Sequence, residues 1–495
     1  MSSPITDNLA PSSILVVGGG VFGLSTALAL TQRAHYKQTT ITLLDPHPSI
    51  PDSKAATTSS VDTSRIIRAD YSDPYYADLA AEAQSHWRRT GDDELGGQGR
   101  YSEPGLLLTA ERGRDAYVQA ALENVRRIEG CGEEGIPVLP SAGAIAKAMR
   151  AAGAAAGSGG IGYLNARSGW ADAETSMRWL WEKVEKTGRV RFVQGRASKV
   201  LAEKDRARGV QLDDGSELRA ELTILATGAW TGTLVDLRGV ASPRAQCLGY
   251  MALTAEETSA LKDIPVHLNL NTGLFCFPPS RGNEMKLARH TFGYSNPTKI
   301  PAPLGSKPGE KTIITTIPAF PKSIPAIDEQ VLVEFGNSAL PCLQSRQQPF
   351  RSLDHSRLCW YLDTASSDFL VCQYPGYGNS LYLATGGSGH GFKFLPVLGS
   401  RIVDVLDGSD IKSNGGIWTK KWAWPGRGTV QPTPSGQTDA YVDADGEIWC
   451  LDGSRGGEMG LKLADALAEK HYTAQTIPHI VADKAGAETS GKSKL

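Results

Sequence analysis

The apolar run Ile14-Leu15-Val16-Val17 leads directly into Gly18-Gly19-Gly20-Val21-Phe22-Gly23 and then into LSTALALTQR, while a second apolar stretch from Thr40 to Leu44 ends in Asp45. Four successive apolar residues suit a strand buried on both faces, and the run after the glycines has helical patterning. A glycine signature alone is weak, but here it sits between a strand and a helix, with a second strand and an acid to follow. In that setting the glycines permit a tight turn and let a pyrophosphate approach the helix N-terminus, and Asp45 can accept from ribose hydroxyls. The unit predicts an α/β domain that binds a dinucleotide.

Downstream features predict that this domain is discontinuous. Arg189 to Leu212 reads as short strands, and ELTILATGAWTG (Glu221 to Gly232) is an apolar strand running into Thr227-Gly228. From Pro243 to Arg351 apolar and polar residues alternate among many prolines, as in a mostly antiparallel sheet covering a pocket. The expected division is a dinucleotide-binding domain of residues 1–100, 163–242 and 352–472, a substrate domain of 101–162 and 243–351, and a polar tail of 473–495. The Ala/Gly-rich stretch Ser141 to Gly162 reads as a surface insertion or flexible loop without chemistry.

At 495 residues the chain exceeds what one core usually serves, so two connected domains with a pocket between them are expected. The formal charge of −2, from 51 basic and 53 acidic residues without long blocks, gives no footprint for nucleic acid or an anionic membrane. Cys131, Cys247, Cys276, Cys342, Cys359, Cys372 and Cys450 form no CxxC or metal-ligand spacing, which predicts a reducing compartment and no metal site. The N-terminus lacks a signal-peptide pattern and no apolar run is long enough to span a bilayer, so a soluble intracellular protein is expected. Ser493-Lys494-Leu495 on the polar end DKAGAETSGKSKL is the tripeptide read by the peroxisomal import receptor.

A lone cysteine ahead of two aromatics, RLCWY (Arg357 to Tyr361), precedes the glycine-rich GGSGHGFKF (Gly386 to Phe394), whose glycines let backbone N–H groups approach a cofactor with Lys393 as a fixed cation beside it. With the GGGVFG turn, DTSRIIRADYSDPYY (Asp62 to Tyr76), ATGAWT and MKLARHTFGY (Met285 to Tyr294), these make six ordered motifs. Together they resemble the FAD-dependent amine oxidases of the sarcosine oxidase, pipecolate/saccharopine oxidase and fructosyl amino acid oxidase (amadoriase) group, including the fungal fumisoquin-pathway amine oxidase. The resemblance covers most of the chain. It implies a two-domain fold of the D-amino acid oxidase/sarcosine oxidase type: a discontinuous Rossmann-like FAD-binding domain and a sheet roofing the substrate.

The resemblance also implies roles. FAD contacts fall on Gly18, Gly20, Val21, Phe22, Gly23 and Asp45 near the N-terminus and on Ser64, Arg65 and Gly228 further on. Others fall on Gly389, His390, Gly391, Phe392 and Lys393. Cys359 stands where the group attaches the flavin through a thioether, implying 8α-S-cysteinyl-FAD. Lys286 stands where the group keeps a lysine over the flavin, a cation beside which dioxygen is reduced. Arg65 falls against the flavin, while Arg68 and Lys393 fall on the substrate carboxylate, a task that suits guanidinium. His290 matches a histidine bordering the substrate; it either tunes amine protonation or is a packed core histidine. Tyr361 matches a tyrosine near the amine. Two departures matter: Lys286-Leu287-Ala288-Arg289-His290 lacks the acid by which amadoriases contact the sugar, and Phe275 stands where sarcosine oxidases have a tyrosine.

These roles imply oxidation of a secondary, N-methyl or cyclic, α-amino acid to an imine or iminium with release of hydrogen peroxide, in keeping with a peroxisomal address. In a biosynthetic variant the iminium of an N-methyl aromatic amino acid is captured by the substrate's own ring, closing an isoquinoline. A fructosyl amino acid oxidase is the alternative. From other classes, a flavin-binding redox sensor is disfavoured by the presence of Lys286, Arg68 and Lys393, and a nicotinamide dehydrogenase by the ATG strand and RLCWY.

Overall fold

The computed structural model describes residues 10–54, 56–150, 159–343, 351–425 and 446–469. The N-terminal unit folds as its pattern predicts: strand Ser13–Val17, helix Val21–Gln32 and strand Thr40–Asp45. The two strands lie side by side in a six-stranded sheet whose order runs Leu370–Gln373, Leu381–Thr385, Leu222–Leu225, Ser13–Val17, Thr40–Asp45, Val190–Gln194. All neighbours are parallel except the Leu370–Gln373 edge. The ATG segment thus returns beside the first strand, and the domain is discontinuous as expected. Gly18 has φ +106, and a Cβ there would lie 2.5 Å from the Ala226 carbonyl oxygen, so the turn admits only glycine.

A second sheet of eight strands runs His355–Thr364, Ala241–Ala252, Glu284–Arg289, Leu274–Cys276, Val266–Asn269, Leu106–Ala110, Ile161–Asn165, Val138–Leu139. Its pairings are antiparallel apart from Val266–Asn269 with Leu106–Ala110. One face carries Cys247, Met251, Met285 and Leu287 and packs against helix Ala326–Ala339 through Val331, Leu332 and Phe335. The other face carries Leu248, Tyr250, Phe275, Ala288 and Cys359 and looks into the site.

Two expectations are corrected. His355–Thr364, assigned to the dinucleotide domain by the boundary at 352, pairs along its length with Ala241–Ala252 and belongs to the large sheet. Likewise Ser141–Gly162 is not a plain loop: Ser141 caps helix Ala142–Ala148 by accepting from the Ala144 N–H, Ile145 and Met149 are buried, and Ile161–Asn165 is a sheet strand. No helix among the described residues is long and apolar enough to cross a membrane. The Ser493-Lys494-Leu495 address lies outside the described residues.

Candidate active site

A cavity of about 460 Å³ opens at the C-terminal ends of the parallel strands, where an α/β sheet receives its ligand. Its walls include Gly18, Gly20, Val21, Phe22 and Asp45 from the N-terminal unit, Gly228, Gly389, Gly391 and Phe392 from the later glycine segments, and Arg65 and Tyr361. Asp45 accepts from the Gly19 N–H (2.7 Å) and the His47 N–H (2.9 Å), which fixes its carboxylate at the cavity wall with lone pairs to spare. Gly23 does not line the cavity. A Cβ on it would sit 1.8 Å from the Gly18 carbonyl oxygen, so this glycine lets the helix close on the turn. The shape, the glycine walls and the acid at the strand end fit an extended dinucleotide such as FAD.

Strand alternation and register bring the remaining residues together. Antiparallel partners share a face: Tyr250 lies opposite Lys286 and His355, Leu248 opposite Ala288 and Arg357, Gln246 opposite Cys359, and Phe275 opposite Ala288. With a period of two, Arg357, Cys359, Tyr361, Lys286 and Phe275 therefore project to one side. Facing them is the segment 59–71, which contributes Asp62, Ser64, Arg65 and Arg68. Asp70 anchors this segment, accepting from the hydroxyls of Tyr163 (2.9 Å) and Ser168 (2.6 Å).

Two charged clusters result. In the first, Lys286 donates to Asp62 Oδ2 (2.8 Å) and to the Ser64 carbonyl (2.9 Å). Arg65 donates to the same carboxylate and to the Ser59 carbonyl (2.7 Å), and its Nη2 is 3.5 Å from Cys359 Sγ. Burial lowers Lys286 to about 7 against the pull of Asp62. Burial also works against the Asp62 carboxylate, yet Lys286, Arg65 and Arg357 together hold it well below the carboxylate range. Phe275 and Phe277 lie 6.0 and 5.0 Å from the ammonium.

In the second cluster, Arg68 lies 4.7 Å from the Tyr71 ring and 6.0 Å from that of Tyr117. Lys393 donates to the Tyr71 hydroxyl (2.8 Å) and to the His390 carbonyl (2.9 Å). Burial and then Arg68 bring Lys393 well below the usual lysine value. His390 Nε2 is 2.8 Å from the Ser367 carbonyl, which can only accept, so Nδ1 is the acceptor for the Tyr71 hydroxyl at 3.0 Å. Arg68 Nη1 and Ser64 Oγ are buried without a hydrogen-bond partner. Such groups are costly unless a ligand meets them.

His290 accepts from Arg455 Nη1, 2.8 and 2.6 Å from its two ring nitrogens. Burial, followed by Arg455, keeps the imidazole well below its ordinary value and therefore neutral. Arg455 also donates to Asp363 (3.0 Å) and the Ser388 carbonyl (2.9 Å) and lies 5.6 Å from the Tyr361 ring. The structure thus gathers Arg65, Lys286, Cys359 and Phe275 in one cluster, Arg68, Lys393 and His390 in another, and His290 with Tyr361 between Arg455 and the glycine loop. Ser64, Cys359, His390 and Lys393 do not line the dinucleotide cavity itself.

Sequence reading assigned no role to Asp62, Tyr71, Tyr117, Arg357 or Arg455. Asp62 and Tyr71 sit inside the motif beginning DTSRIIR, and Arg357 opens RLCWY, so their signal was adjacency. Arg455 has none, as it reaches the site from a distant segment.

The FAD dependent oxidoreductase family model matches residues 13–405. Amino acid oxidase imqH of Aspergillus flavus is 33% identical over 458 residues, covering 81% of this chain and 94% of that protein. L-saccharopine oxidase of Schizosaccharomyces pombe is 28% identical over 431 residues, covering 83% and 93%. Among solved structures, a modified fructosyl peptide oxidase from Aspergillus nidulans in complex with FSA superposes with a TM-score of 0.73 at 26% identity, covering 92% of this chain and 99% of that one. The resemblance read from the six motifs, and the fold it implied, are borne out.

Proposed function

Because the chain belongs to the FAD dependent oxidoreductase family, we propose that it oxidises secondary α-amino acids, N-methylated or cyclic, at the carbon beside the amine. The observation that carries this reading is the pair Arg68 and Lys393, both buried and both against Tyr71, with Arg68 Nη1 lacking a partner. A carboxylate placed there would satisfy the guanidinium and accept from the ammonium, which a simple amine could not do. FAD, when bound, supplies the two-electron acceptor and the reductant of dioxygen.

The protein's own residues orient and hold. Arg68 and Lys393 fix the carboxylate, so that the α-substituent and amine lie between Tyr361, His290 and the Phe275 wall. His290, neutral and held by Arg455, tolerates a neutral amine beside it. Binding fixes the reacting geometry, and no acid/base pair is required. Arg65 lines the dinucleotide cavity, and Cys359, beside Arg65, is the residue proposed to carry the covalent flavin link. Lys286 provides the fixed cation on the oxygen side, and hydrogen peroxide leaves. An imine or iminium leaves with it and is hydrolysed by water or closed onto the substrate's own aromatic ring. Phe275 and Phe277 favour an aromatic substrate and hence ring closure. Peroxisomal delivery through Ser493-Lys494-Leu495 accords with the peroxide product.

The test is anaerobic bleaching of flavin absorbance by a panel of N-methyl amino acids (including N-methyltyrosine), pipecolate, saccharopine, sarcosine and fructosyl amino acids. Bleaching by the N-methyl or cyclic members alone is expected. The fructosyl peptide oxidase likeness supports the second reading, deglycation. Bleaching by fructosyl amino acids alone would establish it and end the first. Mass spectrometry separates the two fates of the iminium: a product lighter only by two hydrogens marks ring closure.

A further inference from the structure

We propose that Asp62 is the positioning residue of the oxygen side: a single buried carboxylate that keeps Lys286 cationic and fixes its direction against Arg65. The inference rests on the reading of Lys286 as the cation that meets dioxygen.

Asp62 is 0% exposed, and both its oxygens are engaged. Oδ2 accepts from Lys286 Nζ (2.8 Å) and from Arg65, and Arg357 Nη2 stands 3.2 Å away. Oδ1 accepts from the Tyr250 hydroxyl (2.7 Å) and the Thr63 N–H (2.7 Å). Three cations thus converge on one anion. Guanidinium does not lose its proton in a protein, so whatever charge the site cannot support is shed by the lysine. Asp62 is therefore the group whose charge decides the state of Lys286. Its geometry also aims the ammonium: two of three N–H bonds go to Asp62 and the Ser64 carbonyl, which leaves one for an incoming oxygen.

The charged and titratable groups around Lys286 come from every element packed on it. Asp62 and Arg65 come from the facing segment, Arg357 and Cys359 from His355–Thr364, and Tyr250 from Ala241–Ala252. Glu284, two residues away on the same strand, is occupied by Lys54 (3.8 Å) and His355 (3.6 Å). Asp62 is the carboxylate in contact with the ammonium, and the two guanidiniums oppose it.

The experiment measures reoxidation of the reduced holoenzyme by dioxygen in a stopped flow from pH 6 to 9, for wild type, Asp62→Asn, Asp62→Glu, Arg357→Gln and Lys286→Met. In parallel, sulfite affinity is followed against pH by flavin absorbance, reading the inflection rather than the absolute affinity. In Asp62→Asn both inflections should move to lower pH by about one unit or more, and reoxidation at the alkaline end of the range, above both ionisations, should slow by about tenfold, the equivalent of one unit. Asp62→Glu should restore most of the rate. Arg357→Gln frees Asp62 from one competitor and should move both inflections to higher pH, an opposite displacement that lost packing would not produce and that stands if Asp62→Asn does not fold. Slow reoxidation in Lys286→Met alongside wild-type inflections in Asp62→Asn or Arg357→Gln would overturn the proposal alone. Wild-type reoxidation in Lys286→Met would overturn the reading of Lys286 and the inference with it.

Discussion

Arg68 meets ring faces rather than a carboxylate partner, and that sets its sensitivity to substitution. Replacing it with alanine should raise KM by about 10- to 100-fold, the equivalent of a charge-assisted hydrogen bond of ~1.5–3 kcal/mol, while Arg68→Lys, which keeps the charge but loses the planar fork, should fall between. Steady-state kinetics on the best bleaching substrate checks both, and an unchanged KM in Arg68→Ala would remove the carboxylate clamp. Cys359 carries a different prediction. In Cys359→Ala the flavin should be released into the supernatant on acid precipitation, whereas in wild type it should stay with the pellet; equal release from both would dispose of the covalent link. The residues that sequence reading named are those bearing distinctive chemistry in distinctive strings. Those it missed, Tyr71, Tyr117 and Arg455 above all, act by touching a named residue, and such contacts are fixed by the fold rather than by local sequence.

Strand periodicity explains why two motifs separated by some seventy residues share one wall. Lys286 and Cys359 lie on strands that both flank Ala241–Ala252, and the register Tyr250 to Lys286 and Gln246 to Cys359 turns them to the same side. The βαβ unit and the returning ATG strand were legible because their signals are local: an apolar run, a glycine turn, an acid at a strand end. The pairing of His355–Thr364 was not, since adjacency in the chain to the GGSGHGFKF loop suggested the dinucleotide domain and nothing local encodes a partner more than a hundred residues away. The loop itself yields an element-scale prediction. Gly389 has φ +67, and a Cβ on it would lie 2.4 Å from the Tyr361 ring. Gly389→Ala must therefore strain the loop and push Tyr361 off its position, at a cost of about 2 kcal/mol. Thermal unfolding of the holoprotein should show a lower Tm and bleaching should be slowed; a variant with wild-type Tm and bleaching rate would mean the loop has slack that its packing does not suggest.

At the scale of the whole molecule, the two half-reactions are assigned to different walls of the site, and these should titrate in opposite directions. In the proposed reaction, substrate oxidation needs a neutral amine, which forms as pH rises, and the substrate carboxylate is held by Arg68 from the segment 59–71 and Lys393 from the glycine loop. On the same proposal, dioxygen reduction needs the Lys286 ammonium, on the large sheet, and burial has lowered that group to about 7. A lysine works in its protonated form, so the oxidative step should be fastest below its ionisation and fall as pH rises through it. Negative charge arriving beside Lys286 on flavin reduction raises that ionisation, so the fall should begin at or above pH 7 rather than below it. Rapid-mixing measurements should thus show reduction accelerating with pH and reoxidation decelerating, giving a turnover maximum between the two limbs. Lys286→Met should flatten the reoxidation profile at a low rate and leave the rising limb of reduction in place. If both limbs moved together in that variant, the two walls would not be independent, and the division of labour between the glycine-loop cations and the large sheet would have to be abandoned.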